Sequence, residues 1–307
     1  MRRRDRSGYT LVELLVALAV LGILTAQLFV VFSSQKRAYV NNERILDVQE
    51  DARLVMDLLT TEVRMAGYMV PQRSGVSSRD GGTGSPDTLC VSDPSVLDED
   101  DVRTEDDRYD RASIASIASG GAAVTLSSIA ELDVDGDGDT DEFSADAGII
   151  LADASHSHCA IITDVDAATG EIEFTPAIPL YASWTVSQIR AAPAIVYEVD
   201  ASGLGLTRNS LLLSGEVEDL QVEYGVDVND DELVDTGSSA EWPLDDLDGV
   251  DAADVRSVRL TVTTRTTQAD AEYAGPGRAA AANRNAGAGD GFRRRRFVAS
   301  VLPRNLL

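Results

Sequence analysis

Lysine, histidine and cysteine are all scarce in this 307-residue chain, and each scarcity removes a class of function. Lys36 is the only lysine, so arginine supplies nearly all the positive charge. His156 and His158 are the only histidines, and they sit beside Cys159 in the run His-Ser-His-Cys. Alternation along a strand would put Cys159 on the face opposite both rings, which argues against a zinc site. No GxSxG elbow, phosphate-cradling P-loop or GxGxxG turn occurs. A catalytic function is therefore not expected. The formal charge of −26 makes nucleic acid a poor partner. With two cysteines, Cys90 and Cys159, the chain has either one bridge in an oxidising compartment or two separate buried thiols.

What is present begins at the amino terminus. Arg2, Arg3, Arg4 and Arg6 precede Gly8 and Tyr9, and from Leu14 to Phe32 no residue is charged. Thr25 and Gln27 are the clearly polar side chains in that run, which is long enough for a transmembrane helix. An ordinary secretory signal has a shorter apolar middle and a small-x-small cleavage site, so this stretch matches only its basic start. Glu13 stands at the beginning of the run. An acid there is costly in hydrocarbon and calls for a partner of opposite charge.

The helical pattern continues past the apolar run. Ile45, Val48, Ala52, Val55, Leu59, Val63 and Ala66 recur at steps of three or four, with Glu43, Asp47, Glu50 and Asp51 on the wet side. Gly67 and Pro71 end it. A helix from Tyr9 to Ala66 would run roughly 87 Å. Residues 71–120 are rich in Gly, Ser and Asp, with one strand candidate at Thr88–Ser92 and a solvated acid run from Asp98 to Asp110. Period-two patterns then appear at Ala122–Leu126, Gly148–Ala152, Ala160–Asp164, Glu171–Thr175, Ala194–Val199, Val217–Tyr224 and Val255–Thr264. These are expected to form a half-buried antiparallel sheet. The fold class expected is α+β, a long amino-terminal helix packed on an antiparallel β-rich domain.

One internal stretch carries metal chemistry. In Asp133-Val134-Asp135-Gly136-Asp137-Gly138-Asp139-Thr140-Asp141, acids alternate at positions one, three and five and Gly stands at six, the opening of a calcium loop. Asp139 would give its carbonyl and Asp141 falls at position nine. Position twelve is Ser144 where an EF-hand has Glu, so a different loop using Glu142 or Asp146 is the calcium alternative, and a plain acidic turn is the other reading. A second stretch, Asp227 to Asp235, lacks the Gly and is weaker.

The segment Gly8-Tyr9-Thr10-Leu11-Val12-Glu13 with its apolar run resembles the class III signal of type IV prepilins and type II secretion pseudopilins. That resemblance implies cleavage after Gly8 and methylation of Tyr9 by a prepilin peptidase/methyltransferase. It also implies that Glu13 meets the amino terminus of a neighbouring subunit. Removing residues 1–8 takes four Arg and one Asp, moving the side-chain charge from −26 to −29. Arg64-Met65-Ala66-Gly67-Tyr68, Leu204 to Arg208, Val217 to Asp227, Val255 to Leu260 and the closing basic strand around Arg293 to Val301 resemble minor pilins of the PilW type, and also J-type minor pseudopilins. The organisation so implied is a leader at 1–8, a transmembrane or filament-core helix at 9–35, an amphipathic continuation at 36–70 and an exposed β-rich domain at 71–307. The implied role is a minor pilin working with other major and minor pilins, held first in the inner membrane with a periplasmic domain and then in the fibre. A type II secretion pseudopilin and a calcium-dependent pilus-tip adhesin are the alternatives.

Overall fold

The computed structural model describes residues 10–67, 70, 75–93, 113–118, 120–133, 140, 142–153, 156–179, 185–200, 202–229, 231–235, 237–245, 247, 250, 254–270 and 272–304. One helix, α1 (Leu11–Met65), opens the chain. The chain divides into two compact units at Asp47/Val48. In the first unit the apolar residues from Leu11 to Phe32 are exposed. In the second, Val48, Ala52, Val55, Met56, Leu59 and Val63 are buried. The stripe expected from residue 45 thus becomes fully buried only at Val48, Ile45 being half-covered. The helix ends where Gly67 takes a left-handed φ of 82°, a conformation that costs a side chain free energy. Its N–H donates to Ser92 Oγ at 2.9 Å.

Thirteen strands follow among the described residues: β1 (Val76–Arg79), β2 (Thr88–Ser92), β3 (Ile114–Ile117), β4 (Ala123–Leu126), β5 (Gly148–Ala152), β6 (Ser157–Asp166), β7 (Glu171–Thr175), β8 (Arg190–Val199), β9 (Leu206–Arg208), β10 (Leu211–Ser214), β11 (Val217–Val226), β12 (Val255–Arg265) and β13 (Arg294–Val301). Strands β2, β5 and β7 coincide with the expected ranges. Strands β6 and β8 start earlier, because Ala191, Ala192 and His158 are also buried. Strands β1 and β3 were not expected. Each has four residues, too few for a clear period, and lies in serine-rich sequence.

A ten-stranded antiparallel sheet has the order β1-β2-β8-β5-β6-β7-β4-β3, with the β9-β10 hairpin attached to β8. It curls tightly. The Ser77 and Ser157 hydroxyls meet at 3.1 Å although β1 and β6 stand four places apart. Inside the curl lie Cys90, Ile150, Ala152, Cys159, Ala194 and Val196, and the two cysteines form a disulfide with Cα atoms 5.6 Å apart. Of the two cysteine readings, the bridge is the one adopted. Gly148 allows the curl to close, since a Cβ there would stand 2.8 Å from the Ala194 carbonyl oxygen.

A second sheet has the order β11-β12-β13. One face, with Leu220, Val222, Tyr224, Val258, Leu260, Val262 and Val301, joins the buried stripe of α1 and the apolar side chains of β1, β2 and β8 in the largest core. Fully burying a side chain of this size is worth about 1.5–3 kcal/mol, so this seam holds the helix to both sheets. Polar clamps flank it. Tyr197 Oη donates to Glu62, Arg208 Nη2 donates to the same carboxylate at 3.1 Å, and Ser214 Oγ donates to Asp51.

The opposite face of β11-β12-β13 carries Asp219, Gln221, Thr261 and Thr263, all buried. Residues 266–293 fold over it as two arms. Asp270 N–H donates to Gly291 O and Gly287 N–H donates to Arg278 O, both at 2.8 Å. Arg278 and Arg284 pin the arms to Asp219. Nearby, Asp87 is buried and accepts N–H groups from Gly81 at 3.0 Å and Val222 at 2.8 Å. Burial pushes its pKa up to about 7 against the pull of those donors, and the Asp80 and Asp219 carboxylates push the same way.

Two outcomes follow from this packing. The bridge closes a sequence separation of 69 residues, so the Cys90→Ala/Cys159→Ala double variant is expected to lose about 4 kcal/mol on the chain-entropy account, read from urea midpoints. Asp87 has a folded pKa above its unfolded value of about 4. The folded chain therefore binds the extra proton, and the contribution of this group to stability is full below pH 4 and declines as pH rises towards 7. Thermal midpoints of the wild type and Asp87→Asn at pH 5 and pH 8 check this: the wild type should lose ground to the variant at the higher pH, and a constant gap would refute it.

Candidate assembly site

Two ends of the helix carry the residues singled out from sequence. At the first, Gly8 and Tyr9 lie outside the described residues. Glu13 is described, and its local role was missed. Its Oε2 accepts the Thr10 backbone N–H at 2.9 Å and the Thr10 hydroxyl at 3.0 Å, while its own N–H donates to Thr10 Oγ1 at 3.2 Å. This is a reciprocal capping box, with Thr10 before the helix and Glu13 three residues on. The signal was legible in Thr10-Leu11-Val12-Glu13, and the negative carboxylate also suits the positive end of the helix dipole. After it, the helix is long and apolar enough by length and composition to cross a membrane, and none of its most apolar window is buried.

At the other end, the Arg-Met-Ala-Gly-Tyr run acquires a physical reading. Ala66 is fully buried, Gly67 makes the left-handed exit, and the Arg64 carbonyl accepts the Arg304 N–H at 3.3 Å. Small size at 66 and the absence of a Cβ at 67 are what this junction needs; Tyr68 lies outside the described residues. Glu62, one turn earlier, is the carboxylate shared by Tyr197 and Arg208. That clamp joins residues 135 and 146 positions apart, a separation that no local sequence pattern reports.

Of the calcium stretch, Asp133 is described, whereas Asp135, Asp137, Asp139 and Asp141 lie outside the described residues. Its bases are fixed by Leu132 and Phe143, both buried in one core. The second stretch is a self-satisfied turn. Asp227 is fully buried, accepts the Asp231 and Glu232 N–H groups and pairs with Arg256 at 3.3 Å. Those donors hold its carboxyl below the usual range against the opposing effect of burial. Glu232 takes a φ of 65° at the position where a calcium loop has Gly. Among the described residues no group of three or more His, Cys, Asp or Glu side chains is placed to hold a metal ion.

The remaining candidates resolve into structure. Cys159 is bridged, His158 Nε2 lies 3.0 Å from the Pro176 carbonyl oxygen, and His156 pairs with Asp153, so the three do not share a ligand site. In the basic run, Arg293 pairs with Asp270 at 2.9 Å and Arg294 with Asp290 at 2.6 Å and Glu218 at 2.5 Å. Arg294 chiefly accounts for the Asp290 pKa, lowered to about 2. The acidic chain thus neutralises half of its own basic run.

Comparison with known proteins adds to this geometry at both ends. Residues 3–26 match the family model for the prokaryotic N-terminal methylation motif. Residues 185–305, from β8 through the end of β13, match the model for Type IV pilus-assembly protein W. No curated protein matches the chain. Among solved structures, a type IV-like pilin from Thermus thermophilus is matched with 12% identity over 52% of this chain and 84% of that one, at a TM-score of 0.26. The chain is thus similar to known families in two regions, to the methylation motif at the start of the helix and to Type IV pilus-assembly protein W over the strands from β8 to β13.

Proposed function

We propose that this chain is a minor subunit of a type IV pilus, processed between Gly8 and Tyr9 and built into the fibre or its initiating complex. The observation that carries the reading is the union, in one helix, of the methylation motif with an exposed apolar half. An apolar surface of that extent is unfavourable in water and needs lipid or neighbouring apolar helices. The same surface therefore serves two stages, first in the inner membrane and then in the core of a filament of other pilins.

The proposed chemistry of assembly is electrostatic. Cleavage by a prepilin peptidase frees an ammonium at Tyr9. In a low-dielectric surround, a carboxylate and an ammonium of different subunits compensate one another, and Glu13 supplies the carboxylate. The Thr10 donors hold Glu13 at the helix start, where an incoming amino terminus would find it. The exposed domain takes no catalytic part in this reading; its pilin-like region supports a structural role.

Calcium binding at residues 133–141 is a further proposal, supported by the order of acids and Gly and by the buried anchors Leu132 and Phe143. Isothermal titration of the full chain in detergent should give a calcium signal that magnesium does not reproduce and that Asp133→Asn/Asp135→Asn removes. A calcium titration identical to that of the variant would refute it.

For the processing step, mass spectrometry of the amino-terminal peptide is the test. A methylated peptide beginning at Tyr9 in material sheared from the cell surface is expected. The same peptide confined to the membrane would favour a type II secretion pseudopilin, and an intact peptide still carrying Arg2 to Gly8 would overturn the reading.

A further inference from the structure

Strands β12 and β13 are antiparallel neighbours, and a loop of about two to five residues is enough to join such a pair. Here residues 266–293 intervene. Half of them are Ala or Gly, and Tyr273 and Phe292 are their only large apolar side chains. None of those described enters any of the three apolar cores. The arms nevertheless cover a sheet face, and that face is polar, with Asp219, Gln221, Thr261 and Thr263 buried on it. A covered sheet face is ordinarily apolar.

The excursion has three parts. Its base is stitched: Thr266 N–H donates to Arg293 O at 3.0 Å, Asp270 N–H donates to Gly291 O, and the Arg293 guanidinium pairs with Asp270 while lying 4.3 Å over the Tyr273 ring. Next comes a waist of four glycines, Gly275 and Gly277 going out and Gly287 and Gly289 coming back. A Cβ at 277 would collide with the Ala288 carbonyl oxygen, and one at 289 would stand 2.9 Å from that of Gly275. Glycine is also the residue whose backbone dihedrals change at least cost, so the waist is a natural hinge. Beyond it lies the tip, residues 278–286. Arg278 and Arg284 join it to Asp219 on β11, and Arg296 donates to Ala280 O at 2.8 Å. Asn285 N–H donates to Thr83 O at 3.0 Å and Asn283 Nδ2 to Asp80 Oδ1 at 2.9 Å, in the β1-β2 connection.

Closure of the tip is poorly compensated. Burial raises the Asp219 pKa although two guanidiniums face it, and burial lowers that of Arg278 although the carboxylate faces it. Desolvation therefore outweighs pairing at this contact. Gln221 Oε1, Thr263 Oγ1, Asn283 Oδ1 and Arg284 Nε are buried here with no hydrogen-bond partner among the described residues, and each adds a cost to the closed state. Lifting the tip uncovers no apolar core and hydrates all of these groups.

From the stitched base, the glycine waist and the polar face beneath the tip, we propose that residues 278–286 form a latch, with Asp219 as its catch, that opens as a unit while the sheets and helix stay folded. Opening uncovers the outer face of β11 and β12. It also turns outward a stretch, residues 273–289, that holds Arg278 and Arg284 and no acid in an otherwise acidic chain.

The test is hydrogen exchange of the full chain in detergent, read by mass spectrometry with fragmentation to single amides. The Asn285 amide, whose bond to Thr83 closes the latch, should exchange at least about tenfold faster than the Thr266 and Asp270 amides of the base, although all three are bonded to carbonyls. Asp219→Asn weakens the catch and should speed Asn285 roughly tenfold further, with the base and strands β5, β6 and β8 unchanged. Equal exchange of Asn285 and the base amides in the wild type, or an Asn285 rate that Asp219→Asn leaves unaltered, would overturn the latch. So would an Asp219→Asn chain that fails to fold or loses protection throughout β5, β6 and β8, since the contact would then belong to the global fold.

Discussion

The second half of α1 can be a stable helix only because its apolar stripe is covered. Val55, Leu59 and Val63 have no alternative to the surface offered jointly by β1, β2, β8 and the inner face of β11-β12-β13. Neither sheet could keep its own inner face dry without the helix, and the two sheets also meet directly where β11 lies against β8 and β2. This mutual dependence makes the seam the constraint from which strand order, helix exit and the placement of the clamps follow. The polar contacts on its flanks, Glu62 with Tyr197 and Arg208 and Asp51 with Ser214, fix rotation and register more than they add stability.

The chain uses arginine where a less acidic protein could use either basic residue. The buried carboxylate of Asp219 illustrates why this matters: it is met by Arg278 and Arg284 at once, and Arg278 also donates to backbone carbonyls of the arm it holds. A planar guanidinium with five donors can serve a carboxylate and a carbonyl together, which a lysine ammonium does less readily. Arg294 repeats the pattern with Glu218 and Asp290. The excursion between β12 and β13 has few large apolar side chains, so it is charge pairing and aromatic stacking that keep it on the sheet.

How much of this was legible in the sequence depends on the range of the interaction. The helix stripe, its end at Gly67 and most strands repeat at a fixed local period, and the period was enough to place them. The amino-terminal candidates were legible for the same reason, although the capping partnership of Thr10 and Glu13 was overlooked while Glu13 was read only against a distant charge. What was not legible joins parts far apart in the chain. The curl that brings Cys90 to Cys159 and the sharing of Glu62 by Tyr197 and Arg208 both depend on strand order, which residue patterns do not encode. Strands β1 and β3 were missed because four residues cannot establish an alternation. The turn at Asp227 was read for its acids alone, whereas its buried carboxylate is occupied by two N–H groups and Arg256.

The exit of α1 has a mechanical consequence. The Gly67 N–H is held by Ser92 at the end of β2, and the Arg64 carbonyl by Arg304 just beyond β13, so both sheets are fastened at the same place on the helix. A pull directed along the helix therefore reaches β2 and β13 together, after first crossing the side chains interdigitated from Val48 to Ala66. Such a load slides packed surfaces past one another and must break many contacts at once, instead of peeling one hydrogen bond after another. A domain attached in this manner resists tension best along the helix segment that it packs against.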